Sequence, residues 1–182
     1  KDETLQWMNR AHSALESINS IMMAKEAGFD NITIDLIYGI PGTSNEEWKA
    51  EIDLAISLGV PHISAYNLTV EENTVLAHMV QSGKSQAPDD EVGSEQFMIL
   101  IDRLSEAGFM QYEISNFGKP GFYSNHNSSY WKQRPYLGIG PSSHSFNGVS
   151  RQWNVAHNGR YIESINNDSV PFEIEELTLE NR

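Results

Sequence analysis

The sequence predicts an α/β fold in which parallel strands are joined by crossover helices. Helical and β-type segments alternate over the first 115 residues in the order αβαβααβ, and such alternation lays helices over a parallel sheet. Three helical segments stop at a glycine, Gly28, Gly59 or Gly108, just before a strand-like run. The length of 182 residues suffices for one domain with a real core, or for a large piece of a bigger protein.

In "HSALESINSIMMAKEAGF", Ser13 and Glu16 have the spacing of a capping box, and Leu15, Ile18, Ile21 and Met22 recur at helical intervals. A helix is expected over 13–27, with Met22 and Met23 in its core face, ending at Gly28. "NITIDLI" is a β-branched run between turn residues, a strand at 31–37. Ser44 caps the next helix, with Glu46 and Glu47 in the first turn where the helix dipole favours anions. That helix runs to Leu58. "HISAYNL" is the second strand, "ENTVLAHMVQSG" a short helix, and "DDEVGSEQFMILIDRLSEAGF" a long one. "MQYEIS" is read as a third strand. The joints "AKEAGFDNITI" and "LSEAGFMQYEI" share wording, which is read as a favourable helix C-cap rather than a repeat. From Asn116 to Asn158 the alternation stops, and so long a connection is either functional or hides short strands. "FEIEELTLENR" reads as the start of a helix. With Lys1 at the front, this gives the expectation of a piece cut at both ends.

Composition excludes several function classes. The formal net charge is −13, with 12 basic residues against 25 acidic ones, so a nucleic-acid partner is not expected and an anionic membrane surface is disfavoured. No apolar run is long enough to span a bilayer, and no signal-peptide pattern opens the chain. There is no cysteine, which removes disulfides, thiol nucleophiles and any iron–sulfur cluster ligated from within this chain.

Four stretches carry candidate chemistry. Asp35 lies inside the first strand, where Thr33, Asp35 and Ile37 share one face and Ile32, Ile34 and Leu36 the other. A carboxylate there is expected to be buried and to need a partner, either a Lys or Arg in a structural pair or a ligand near the C-terminal end of a barrel strand. Tyr66 occupies a comparable place on the next strand, as core or as site. Gly138-Ile139-Gly140 lacks the third glycine of a dinucleotide fingerprint and is read as a tight turn, with His144 beyond it as a site residue or, in the favoured reading, a satisfied loop histidine. "HNSSYW", 126–131, puts His, Tyr and Trp together in a loop-like stretch. Its alternatives are a packing corner, a zinc ligand lacking companions at set spacings, or an axial histidine with aromatic walls for heme.

"AGFDNITIDLIYGIPGTSNEEW", "HISAYNLTVEENT", "YEISNFGKPGFYSNHNSSYW" and "YLGIGPSSHSF" together resemble the oxygen-independent coproporphyrinogen III oxidase-like family of radical S-adenosylmethionine (SAM) proteins, on its heme-chaperone branch, HemW. The resemblance runs in order over nearly the whole chain. It implies a partial (β/α)6, TIM-like barrel that holds a [4Fe–4S] cluster and SAM, followed by a smaller helical domain. The family's CxxxCxxC cluster motif has no counterpart here, so the chain is expected to hold the second half of the barrel over 1–115. A loop and short-strand segment with the HNxxYW motif is then expected over 116–160, and the start of the helical domain over 161–182. By the resemblance, Arg10, Asp35 and Tyr66 match SAM-contacting positions. His126, Asn127, Tyr130 and Trp131 match the heme motif, with His126 as ligand to the heme iron. No catalytic residue and no cluster ligand is assigned within this stretch, and none of the cofactors is expected to be firmly bound by it alone.

The implied partners are heme or a porphyrinogen and a heme-acceptor protein, and the implied location is cytoplasmic. Whether the whole protein is a chaperone or a radical enzyme decarboxylating porphyrinogen propionates stays open at this point. A third alternative is a non-catalytic α/β interaction domain. Half a barrel would also leave an open parallel strand edge, which is expected to self-associate or to be covered by a loop.

Overall fold

The computed structural model describes residues 1–178 and 180; Leu179, Asn181 and Arg182, at the end of the expected terminal helix, lie outside the described residues. The chain forms two compact units, Lys1–Tyr123 and Ser124–Arg182.

The first unit runs α1 (Asp2–Trp7), α2 (Ala14–Glu26), β1 (Thr33–Tyr38), α3 (Asn45–Ser57), β2 (His62–Asn67), α4 (Val75–Gln81), α5 (Asp90–Glu106), β3 (Met110–Gln111) and β4 (Asn116–Gly118). The expected helix starts are realised. Ser13 and Ser44 each accept from the backbone N–H three residues on, while Glu16 and Glu47 reach back to the cap N–H. Gly28, Gly59 and Gly108 all take positive φ just beyond a helix end, which a residue without Cβ adopts freely.

The core lies between one face of the sheet and the helices. Trp48, Ile52 and Ala55 on α3 and Leu100 and Leu104 on α5 recur at helical spacing and pack with Val60, Ile63, Ala65, Phe109 and Phe117. Each fully buried large side chain contributes roughly 1.5–3 kcal/mol. The Trp48 indole N–H donates to the Gln96 carbonyl at 2.9 Å, joining the two helices by a satisfied polar contact. The helix α2 departs from expectation. Leu15, Met22 and Met23 are exposed, and its packing on the core is through Ile21. The spacing locates an apolar stripe of which Ile18 and Ile21 are half-buried, while Leu15 and Met22 stay exposed.

The sheet order is β1-β2-β4-β3. The α/β class holds, β1 and β2 are parallel, and the described strands form an open sheet. The expected third parallel strand "MQYEIS" is not formed. Its first two residues make β3, the chain turns at 113–115, and β4 returns antiparallel to both β3 and β2. The turn is closed by side chains, with the Glu113 carboxylate accepting from the Ser115 N–H at 3.0 Å and from the Asn116 amide. Gln111 Nε2 also donates to the Ile114 carbonyl at 3.1 Å. No Gly or Pro marks this reversal; Ser115 and Asn116 are its only turn-type residues.

The second unit runs α6 (Asn125–Trp131), β5 (His144–Phe146), β6 (Ser150–Asn154), α7 (Asn158–Asn166) and β7 (Phe172–Glu176). The three strands form an antiparallel sheet in the order β5-β6-β7. Two expectations are corrected here. "HNSSYW" is a helix, not a loop: Ser124 caps it by accepting from the Asn127 N–H at 3.2 Å. "FEIEE" is a strand, not the start of a helix. Its alternation of Phe172 and Ile174 with Glu173 and Glu175 has the strand period of two, and pairing with β6 satisfies it.

Candidate functional site

In the first unit the sheet has one apolar and one polar face. Ile34, Leu36, Ile63, Ala65 and Phe117 face the helices. The strand register sets Thr33 beside His62, Asp35 beside Ser64 and Ile37 beside Tyr66, with Asn116 across from Ser64. Paired residues in a sheet point to the same side, so Asp35, Tyr66, Ser64, Asn116 and His62 share the face that no helix fills.

Asp35 is exposed, which corrects the expectation of a buried carboxylate. The reason is that β1 is the edge strand and its polar face is uncovered. Among the described residues no Lys or Arg pairs with it, so the structural ion pair is not formed. Tyr66 is 45% exposed on the same face, one step nearer the C-terminal end. Arg10 lies exposed between α1 and α2, its backbone N–H donating to the Leu5 carbonyl at 2.8 Å. The structure gives no contact between it and Asp35 or Tyr66.

The loop after β1 is held by a residue the sequence did not single out. Gln96 on α5 is fully buried; its Oε1 accepts from the Gly39 N–H at 2.8 Å and its Nε2 donates to the Thr43 carbonyl at 3.1 Å. Gly39 is required where it stands: its φ is 72°, and an added Cβ would lie 2.2 Å from Asn67 Oδ1. Towards the other end of the sheet His62 is 2% exposed, with Nε2 2.7 Å from the Tyr112 hydroxyl. Its Nδ1 has no hydrogen-bond partner among the described residues. Burial pushes its pKa down, opposed by the carboxylates of Asp35 and Glu113.

In the second unit, α6 turns the motif spacing into a surface. Residues i, i+1, i+4 and i+5 of a helix fall within an arc of about 140°, so His126, Asn127, Tyr130 and Trp131 share one side of α6. His126 is exposed, and Trp131 is 60% exposed. The His126 ring meets Tyr130 edge-on at 5.0 Å. Tyr130 meets Tyr136 at 4.8 Å, and Tyr136 reaches the buried Phe146 of β5 at 6.1 Å. Such tilted ring contacts fix orientation beyond simple burial. The motif is thus an exposed imidazole and indole on a helix anchored by a run of aromatic rings. Gly138 and Gly140 serve local backbone needs, as expected. A Cβ on Gly138 would sit 2.2 Å from the His144 carbonyl oxygen, and Gly140 has φ 106°. His144 is exposed, its ring 6.0 Å from that of Trp153.

No family model matches the chain. Among curated proteins it is 40% identical to the heme chaperone HemW of Mycobacterium tuberculosis over 167 residues, covering 92% of this chain and 43% of that protein. It is 35% identical to HemW of Bacillus subtilis over 183 residues, covering 100% of this chain and 48% of that protein. It is also 36% identical over 143 residues to radical S-adenosyl methionine domain-containing protein 1, mitochondrial, of Mus musculus, covering 79% of this chain and 32% of that protein.

The chain belongs to the HemW/HemN-like radical SAM family.

It spans about half the length of the curated HemW proteins it matches. A solved structure of coproporphyrinogen III oxidase (HemN) from Escherichia coli, a radical SAM enzyme, matches with a TM-score of 0.77 at 18% identity, covering 98% of this chain and 44% of that one. This likeness carries the fold, not the reaction. Of the family's cofactors, the cluster does not fit the residues present, because no cysteine exists to ligate it. Heme fits the donor set on α6, an exposed imidazole flanked by aromatic rings. A ligand with hydrogen-bond donors fits the exposed Asp35 carboxylate. No helix among the described residues is long and apolar enough to cross a membrane.

Proposed function

We propose that this HemW-like chain works in heme handling: it binds heme through α6 and passes it to an acceptor protein. The observation that carries the reading is the side of α6 on which an exposed His126 stands among Asn127, Tyr130 and Trp131. A neutral imidazole is a heme-iron ligand, and aromatic faces wall a porphyrin. An exposed ligand also suits a carrier that must release its cargo, since a deeply enclosed one would hold it. The identity to HemW proteins over nearly the full chain supports the same reading.

In the first unit we assign SAM to the polar sheet face, with Asp35 accepting from the ligand, Tyr66 lying against it and Arg10 offering a planar fork to a carboxylate. When bound, a cluster and SAM supply radical chemistry; the residues here bind and orient, and none is a cluster ligand.

Heme titration of the whole protein and of His126→Ala, followed by Soret absorbance, tests the proposal. Saturable binding that the substitution abolishes is expected. Equal binding by both would reduce α6 to a packing element and favour porphyrinogen oxidation as the whole protein's role.

A further inference from the structure

Beside Asp35, a chain of buried and half-buried hydrogen bonds fixes the orientation of Asn116 and Ser64. The Glu113 carboxylate accepts from the Asn116 side-chain amide and from the Ser115 N–H. Asn116 and Ser64 are both 4% exposed, and the Ser64 hydroxyl donates to Asn116 Oδ1 at 2.7 Å. Ser64 stands in register between Asn116 on β4 and Asp35 on β1. None of these three residues was singled out by the sequence, and the face they occupy is the one the helices leave open.

The polarity follows from donor and acceptor inventories. A carboxylate accepts only, so Asn116 must turn its NH2 to Glu113. Its carbonyl oxygen then faces Ser64 and can only accept. The one proton of Ser64 is thereby committed, and its remaining lone pairs can only accept as well. Asp35 also accepts only. The Asp35–Ser64 surface therefore offers acceptors and no side-chain donors.

We infer that Ser64 is a specificity-determining contact of the Asp35 site, that Asn116 and Glu113 are its positioning residues, and that together they select a hydroxyl or ammonium group and reject a carboxylate or phosphate there. This rests on the proposal that SAM, which carries both hydroxyls and an ammonium, binds at Asp35. A group that brought only acceptors would leave Asp35 and Ser64 facing like lone pairs in a partly dry site, a costly arrangement. Reversing the sense of the chain at Glu113 would reverse the selection.

The test measures equilibrium binding of SAM to the whole protein, alongside two analogues, one lacking the ribose hydroxyls and one lacking the amino group. Ser64→Ala is expected to weaken SAM about 5-fold, the equivalent of one neutral hydrogen bond, while Ser64→Thr, which keeps the hydroxyl, binds within about twofold of wild type. One analogue should lose affinity for wild type yet bind Ser64→Ala no more weakly, which identifies the group that Ser64 meets. Glu113→Ala, which removes the acceptor that holds the Asn116 amide and leaves Asn116 free to flip, should weaken SAM several-fold; it also serves if Ser64→Ala fails to fold. Unchanged SAM affinity in both Ser64→Ala and Glu113→Ala, with Asp35→Ala weakened, would overturn this inference alone. Unchanged affinity in Asp35→Ala would remove SAM from the face and the inference with it.

Discussion

Replacing Gln96 by Met tests how the loop at the C-terminal end of β1 is held. Met nearly matches Gln in volume, so the buried site stays filled and the cavity contribution is small. What changes is hydrogen bonding. The Gly39 N–H, buried and bonded to Gln96 Oε1 at 2.8 Å, is left without a partner; an orphaned buried donor costs about 1–3 kcal/mol. The Thr43 carbonyl loses a 3.1 Å bond but is only half-buried, so water recovers part of the loss; about 0.5–1 kcal/mol is expected there. Together the substitution should destabilise the first unit by about 1.5–4 kcal/mol, lowering the urea midpoint and speeding hydrogen exchange at the Gly39 amide. A loss below about 0.5 kcal/mol with Gly39 protection intact would refute the claim that Gln96 holds this loop.

Three further outcomes are expected. Gly138→Ala places a Cβ 2.2 Å from the His144 carbonyl oxygen, and because the obstacle is backbone it should cost about 1–3 kcal/mol, read from Trp153 fluorescence during unfolding; a neutral result would mean that β5 shifts freely. Burial holds the folded-state pKa of His62 below its ordinary 6.5, so the neutral ring's contribution is fully present above 6.5 and is lost as pH falls through the lower folded value; acidification should lower the urea midpoint of wild type more than that of His62→Gln, and equal slopes would contradict this. Finally, β1 is an edge strand of the sheet, so the 182-residue chain should self-associate in sedimentation, whereas a monomer with protected β1 amides would show the edge to be covered.

What the sequence made legible was local. Capping boxes at Ser13 and Ser44 and the stops at Gly28, Gly59 and Gly108 located helices because caps act within a few residues. β1 is legible because Thr33, Ile34 and Ile37 are β-branched, whereas β2, with Ile63 as its one β-branched residue, is marked by its place after the Gly59 helix stop. "MQYEIS" reads as one strand because its reversal is closed by the Glu113 side chain with no Gly or Pro, and Ser115 and Asn116 are its only turn-type residues. α6 was misread because its Asn and Ser residues have weak helix propensity; Ser124 was the available signal, since it caps the helix.

The site divides the same way. The spacing in HNxxYW already contained a helical surface, whereas the exposure of Asp35 depended on which strand lies at the edge, a tertiary fact. Gln96, Ser64, Asn116 and Glu113 matter through partners 57, 52 and 3 residues away, and no local pattern records the long-range pairs. A polar residue at a core position of α5 was the one visible hint for Gln96.

The most direct test of the central claim asks which histidine ligates heme. Heme-loaded whole protein would be compared with His126→Ala, His144→Ala and His157→Ala by the Soret position and the equilibrium dissociation constant. The account predicts that His126→Ala alone shifts the Soret band and weakens binding at least about tenfold, or 1.4 kcal/mol. A wild-type spectrum and affinity in His126→Ala, or a larger loss from His144→Ala, would contradict the assignment of α6 as the heme-binding helix.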